Sequence, residues 1–209
     1  MISLFIDTSL LNVSISIIKD DEVLSLIQKD IPNMHSKYTT KFIKEVLDEA
    51  NVDANDIDNI MVVNGPGSFT GVRIGVTIAK TYGYLLKKDI TLVSSLKGLA
   101  ISSQYKGIIM SIIPANKNSY YVGLYDEEYN NLLEEKCVSK EDIINICNDY
   151  NPYIVSTDIN VIGKYKTNKQ YQNPLYIVKY YLSKEKVNCH QALPNYLKLP
   201  QALEGKTND

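Results

Sequence analysis

Residues 64–75 read Asn-Gly-Pro-Gly-Ser-Phe-Thr-Gly-Val-Arg-Ile-Gly, and five of the ten glycines, Gly65, Gly67, Gly71, Gly75 and Gly83, fall between residues 65 and 83. Glycines at a strand-to-helix passage have two uses. One is anion binding, in which backbone N–H groups at a helix start point at a phosphate. The stretch lacks the Gly-Lys-Ser/Thr ending of a P-loop, so it has neither the phosphate cation nor the metal-binding hydroxyl. The other is close packing. Gly71, Gly75, Ala79 and Gly83 recur every four residues and lay a smooth stripe along one helix, where another backbone can approach.

Asp7-Thr8-Ser9, after the first apolar run, has the makings of a phosphate turn. A nucleotide-cleaving enzyme built from two lobes needs acids and phosphate turns from both. The counterpart of Asp7 in the second half is Pro114, which has neither a carboxylate nor an N–H. A single glycine, Gly163, stands where a glycine-rich nucleotide loop would be expected. Asp7, Thr8 and Ser9 therefore read as a vestigial turn, with Asp7 capping it through its carboxylate, and no cofactor is expected. His35 and His190 are the two histidines, without His-x-x-x-His or His-Glu-x-x-His spacing, so no metal site is expected either. No serine lies in a Gly-x-Ser-x-Gly elbow, and Ser68 reads as a helix-start residue. No catalytic residue is assigned.

The elements that position these residues repeat. An apolar run at 2–6, a turn at Asp7-Thr8-Ser9, a strand through Val13, Ile15 and Ile17, a turn at 20–22 and a strand at 23–27 open the chain. After Gly107 the same grammar returns: a strand at 108–113, a turn at Pro114-Ala115-Asn116, a strand at 120–125, a turn at 126–128 and a strand around Leu132-Leu133. A helix follows in each half, over 36–50 and after Ser139. The first half adds strand 60–63, helix 71–87 and strand 90–93, a β-α-β unit whose parallel strands should be buried. The second keeps a strand at 153–155 and a helix after Asn173-Pro174. This predicts an α/β fold of two duplicated halves, 1–104 and 105–209.

Composition excludes several classes. At 209 residues and 44% hydrophobic, the chain can bury one large core or two small ones. A net charge of -2 gives no global attraction to a polyanion. Cys137, Cys147 and Cys189 form no Cys-x-x-Cys pair and are odd in number, which points to a reducing compartment. The N-terminus has no basic flank before its apolar residues, unlike a secretory signal, and no apolar run reaches the roughly 18 residues of a membrane span.

On a helical wheel, the apolar and small side of helix 71–87 runs through Ile74, Ile78, Tyr82, Gly71, Leu86 and Val76, roughly 200° wide. That exceeds what one sheet face needs. Two readings fit it: a helix buried on all but one side within its own domain, or a helix packed on its own sheet on one side and on a partner on the other, rimmed by Arg73, Lys80 and Lys87. In helix 36–50, Tyr38 and Phe42 lie off the Ile43, Val46, Leu47 face and extend the same patch.

The stretch 64–75, with Ile6-Asp7-Thr8-Ser9, His35-Ser36 and the ending Leu193-Pro-Asn-Tyr-Leu-Lys198, resembles the TsaB (YeaZ) family over nearly the whole chain. The resemblance implies the duplicated ribonuclease-H-like fold of actin, hexokinase and Hsp70-type ATPases. It also implies a non-catalytic, cytoplasmic subunit in the formation of threonylcarbamoyladenosine (t6A) in tRNA beside the anticodon. The implied partners are the catalytic paralogue TsaD, the P-loop ATPase TsaE and a second copy in a homodimer, with tRNA met through the assembly. The matching pairing surface here comprises Thr39, Phe42, Ile43, Val46, Gly71, Arg73, Ile74, Gly75, Ile78, Ala79 and Tyr82. Two departures stand out: Pro114-Ala115-Asn116 replaces a family-typical Asp-Ala-Arg turn, and Lys198 replaces an arginine. A reading of another class is a small-molecule kinase or ATPase of the same superfold.

Lys164, Lys166 and Lys169 alternate with Tyr165 and Tyr171. Cations beside rings that stack on bases make this stretch a candidate RNA contact, although charge runs more often only solvate a surface.

Overall fold

The computed structural model describes residues 1–31, 34–116, 118–163 and 165–197. Lys164 and Lys198 lie outside the described residues. The first half begins as a meander of β1 (Ile2–Asp7), β2 (Asn12–Lys19) and β3 (Glu22–Asp30), followed by α1 (His35–Ala50) and a 3-10 turn at Ala54–Asp56. Then come β4 (Asn59–Gly65), α2 (Phe69–Leu86), β5 (Ile90–Ser94) and α3 (Ser95–Ser103). The second half contains β6 (Ile109–Asn116), β7 (Ser119–Tyr125), β8 (Asn131–Ser139), α4 (Lys140–Tyr150), β9 (Tyr153–Ser156), β10 (Thr167–Lys169) and α5 (Pro174–Tyr181).

Each half builds a five-stranded mixed sheet. The orders are β3-β2-β1-β4-β5 and β8-β7-β6-β9-β10, so each half's strands, taken in chain order, stand third, second, first, fourth, fifth. In both, the first three strands pair antiparallel and the last two join in parallel. This is the expected duplicated ribonuclease-H-like fold.

Alternation assigns the faces. Leu4, Ile6, Val13, Ile15 and Ile17 meet Ile43, Val46, Val76 and Ala79 of α1 and α2 on the outer face of the first sheet. Phe5, Ile18, Met61 and Val63 point the other way, toward Leu96, Leu99 and Ile177 of α3 and α5, which the inner face of the second sheet also contacts. Helix α4 covers that sheet's outer face with Ile143, Ile146 and Cys147. The order of layers is thus α1/α2, sheet, α3/α5, sheet, α4. Strands covered on both faces need an apolar run, which β4 supplies over Ile60, Met61, Val62 and Val63.

Side-chain caps fix where α2, α3, α4 and α5 start. Ser68 accepts from Gly71 N, Ser94 from Lys97 N, and Ser139 with Asp142 forms a capping box on α4. Asn173 caps α5, with Pro174 in the first turn.

The structure departs from the sequence reading in three places. Strand β6 runs on through Pro114 and Ala115 to Asn116, with Pro114 opposite Tyr120 and a shift in register beyond it. The reversal comes after Asn116, whose Oδ1 accepts from Asn118 N, Ser119 N and Ser119 Oγ. Helix α3 gave no periodic signal because it is short and buried nearly all round between the sheets, with Ser95 and Ser102 buried beside Leu96, Leu99 and Ile101. Three-residue β10 is polar and too short for alternation to show.

The boundary at 104/105 falls just after α3, at the left-handed Gln104. The chain nevertheless returns to the first half near its end. Val187 pairs with Ile90, Cys189 and Ala192 join the α1/α2 core, and Asn195 N donates to Asn64 O at 2.7 Å. Among the described residues, no helix is long and apolar enough to cross a membrane.

Candidate functional site

The glycine stretch holds three segments together. At its start, Asn64 Nδ2 donates to Leu193 O and Asn64 O accepts from Asn195 N. Gly65 takes φ +114° with the Asn195 carbonyl against its Cα, so a side chain there is excluded by conformation and by space. A cis peptide joins Gly65 to Pro66, and Ser95 Oγ donates to Pro66 O. Ser68 N donates to Ser9 O at 2.7 Å, and that carbonyl occupies the space a Cβ on Gly67 would need. The start of α2 is thus capped by Ser68 Oγ and faced by a backbone carbonyl, which offers an anion a repulsive dipole.

The small-residue stripe faces inward. A Cβ on Gly71 would collide with Thr8 O, one on Gly75 would stand 2.5 Å from Thr8 Oγ1, and one on Gly83 would stand 2.9 Å from Cys189 Cβ. Gly71, Gly75 and Ala79 are buried within the chain, against β1, β4 and the turn after β1. Thr39, Phe42, Ile43 and Val46 are buried likewise, with Thr39 Oγ1 donating to His35 O and Phe42 stacked on Tyr38 at 5.7 Å. These seven members of the expected pairing surface belong to the molecule's own core. The wheel arc was wide because Gly71 and Gly75 count as apolar while α2 leans on the sheet and on the Thr8 turn together. What reaches the outside is a row of half-buried Ile74, Ile78 and Tyr82, continued by exposed Thr77, Thr81 and Leu85. Met34, just before α1, is exposed, and Tyr38 of α1 is half-buried.

Asp7 ends β1 with no exposure. Its Oδ1 accepts from Ser9 N at 2.8 Å and Ser9 Oγ at 2.7 Å, and Oδ2 is buried without a hydrogen-bond partner. Burial raises its pKa to about 6, against the smaller lowering effect of the two Ser9 hydrogen bonds. Thr8 Oγ1 is committed to Gly71 O. Thr8, Ser9 and one oxygen of Asp7 thus build the turn, and the second oxygen of Asp7 is left without a partner.

A crevice of ≈ 410 Å³ opens between the halves above this turn. Leu10, Leu11 and Asp30 line it from the first half, and Pro114, Tyr121 and Asp158 from the second. Pro114 lines the crevice from the end of β6, and Asp158 is the carboxylate that the second half brings to it. Among the described residues, no three His, Cys, Asp or Glu side chains cluster as metal ligands.

The family model of TsaD, tRNA N6-adenosine threonylcarbamoyltransferase, matches residues 29–202. The chain belongs to this family, in its TsaB (YeaZ) branch. The tRNA threonylcarbamoyladenosine biosynthesis protein TsaB of Bacillus subtilis is 35% identical over 145 residues, covering 69% of this chain and 62% of that protein. TsaB of Buchnera aphidicola subsp. Baizongia pistaciae is 33% identical over 67% of this chain and 64% of its own length. The matches thus span less than two thirds of either relative. A crystal structure from Pseudomonas aeruginosa, described as an uncharacterized protein with similarity to peptidase YEAZ, superposes with a TM-score of 0.81. It is 22% identical over 94% of this chain and 99% of that one.

In this TsaB-branch chain the basic stretch divides. Lys169 Nζ lies 5.1 Å over the Tyr171 ring, and its pKa is raised first by its hydrogen bond to Tyr171, with smaller contributions from Asp30 and Asp158. Lys166 is exposed and shares a shallow groove with Tyr105 and Tyr153, whose rings stack at 4.1 Å, 6° from parallel. Sequence reasoning missed Tyr105 because it lies 61 residues before Lys166 and only the fold joins them. It also missed what ties the returning segment to α2. Arg73 lies 3.8 Å over the Phe69 ring and donates from Nε to Tyr196 Oη at 2.8 Å, while Tyr196 stacks on Phe69 at 4.9 Å. The spacing of Phe69 and Arg73, one helical turn apart, is the signal that could have found half of it.

Proposed function

We propose that this chain is a non-catalytic partner subunit in the formation of threonylcarbamoyladenosine in tRNA. It pairs through the outer face of α1 and α2 with the catalytic paralogue TsaD, acts in the cytoplasm beside the ATPase TsaE, and pairs with itself when alone. The observation that carries the reading is the row of half-buried Ile74, Ile78 and Tyr82 with exposed Leu85 on α2, together with exposed Met34 and half-buried Tyr38 at the start of α1, which leaves apolar surface on the outside of the first half. Apolar surface of this kind gains free energy only when a second surface removes it from water.

Three features support a role without chemistry of its own. Asp7 is sealed, with Oδ1 held by Ser9, its counterpart is Pro114, and the start of α2 faces a carbonyl. A nucleotide bound by the assembly therefore sits on another subunit. The tRNA is held chiefly by the partner, with Lys166 and the Tyr105/Tyr153 pair adding an auxiliary contact: one cation for phosphate and one ring face for a base. The direct test is to purify the chain together with the paralogue and ATPase, and to measure t6A on tRNA with and without it. Modification that needs the chain, at a rate indifferent to Asp7→Asn, supports the reading. Modification at full rate without it, or loss of modification on Asp7→Asn in a folded protein, overturns it.

A further inference from the structure

The crevice between the halves has a chemistry that the pairing role leaves unused. Its volume of ≈ 410 Å³ lies within the range of small-molecule sites. The two charged side chains that line it among the described residues are Asp30, at the end of β3, and Asp158, after β9. They come from opposite halves. Each is oriented through Oδ1, by Asn12 Nδ2 at 2.8 Å and by Asn160 N at 2.9 Å, and a carboxylate keeps further acceptor positions for an ammonium group. The rest of the lining combines Leu11, Pro114, Tyr121 and Tyr171 with the polar Asn12 and Thr157.

One cation already favours this rim. The Lys169 ammonium sits over Tyr171 in the field of both carboxylates. A nucleotide would meet the two negative charges of Asp30 and Asp158, and Ser68, which also lines the crevice, has its N–H taken by Ser9 O. Methylene groups, in contrast, suit walls of leucine, proline and tyrosine, and two separated carboxylates suit two separated ammonium groups.

We propose that the crevice binds an aliphatic polyamine, its ammonium groups on Asp30 and Asp158 and its methylene chain against Tyr121, Tyr171 and Leu11. Such a ligand bridges the two halves, so it raises the melting temperature of the chain as it binds. The site is separate from the α1/α2 face, and its failure would leave the pairing role intact.

Calorimetry of the full chain with spermidine at low ionic strength tests it. One spermidine per chain is expected. Affinity should fall about tenfold in Asp30→Asn and in Asp158→Asn, the loss of one charge-assisted hydrogen bond each. Both substitutions keep the oxygen that Asn12 or Asn160 uses. Ala115→Trp, which fills the crevice, should abolish binding. Lys169→Ala should tighten it by removing a neighbouring positive charge, the opposite of the effect expected at an anion site. No binding to the wild type, or equal affinity in all four variants, overturns the proposal. So does displacement by Mg²⁺ at matched ionic strength with the same loss in every variant, which would reduce the effect to general screening.

Discussion

The hydroxyl of Thr8 donates to the carbonyl of Gly71 at 2.7 Å, and the carbonyl of Thr8 fills the space where Gly71 would carry a side chain. The turn after β1 and the first turn of α2 therefore lie in direct backbone contact. The repeated glycines fit that contact, and the outer side of α2 remains for other use.

Gly71→Ala should cost about 1–3 kcal/mol, because the methyl meets backbone that cannot rotate away. In urea the midpoint should fall with the slope unchanged. Thr77→Ala, on the exposed side of the same helix, should stay within about 0.5 kcal/mol of the wild type. Equal midpoints for Gly71→Ala and the wild type would contradict the inward-facing stripe.

Asp7 gives a pH signature. Its pKa is near 6 in the folded chain against 3.8 ordinarily, so between these values the folded state binds the extra proton. Its contribution to stability is therefore greatest at low pH, falls as pH rises through that window and levels off above about 6, by an amount of order 3 kcal/mol. Asp7→Asn should remove this dependence. The difference in unfolding free energy, variant minus wild type, should increase from pH 4 to pH 7. A difference independent of pH would contradict the sealed carboxylate.

Most of the strands were legible because buried sheets need apolar alternation or apolar runs, and β1, β2, β4 and β6 supply them. Helix starts at Ser68, Ser139 and Asn173 were legible through caps. The direction of the glycine stripe was not. A wheel records that Gly71 and Gly75 are small, and the sequence does not say that Thr8 is the group that comes close. Phe42 was misplaced for a related reason. Its position off the Ile43 face looked like a surface, but the β2–β3 hairpin beside α1 covers it, with Lys29 Nζ 5.6 Å from its ring. The Tyr105/Tyr153 stack and the Tyr196 latch join residues far apart in the chain, and local patterns carry no trace of such pairs.

The auxiliary RNA contact predicts a specific loss. Lys166→Glu combined with Tyr105→Ala should weaken tRNA binding by the assembled subunits. The salt dependence should become shallower by about 0.7–0.9 in slope for the lysine lost, and the isolated chain should bind RNA poorly in either form. An unaltered slope and affinity in the assembly would make this groove plain surface.

The central claim is pairing through the outer face of α2, and sedimentation of the chain mixed with its catalytic paralogue tests it most directly. Thr77 and Leu85 are both exposed, so Thr77→Arg with Leu85→Asp should leave the melting temperature of the chain nearly unchanged. The predicted result is a stable complex with the wild type and none with the double variant, together with loss of t6A formation. An undiminished complex from the double variant would contradict the account, as would ATP turnover of order 1 per second by the isolated wild-type chain.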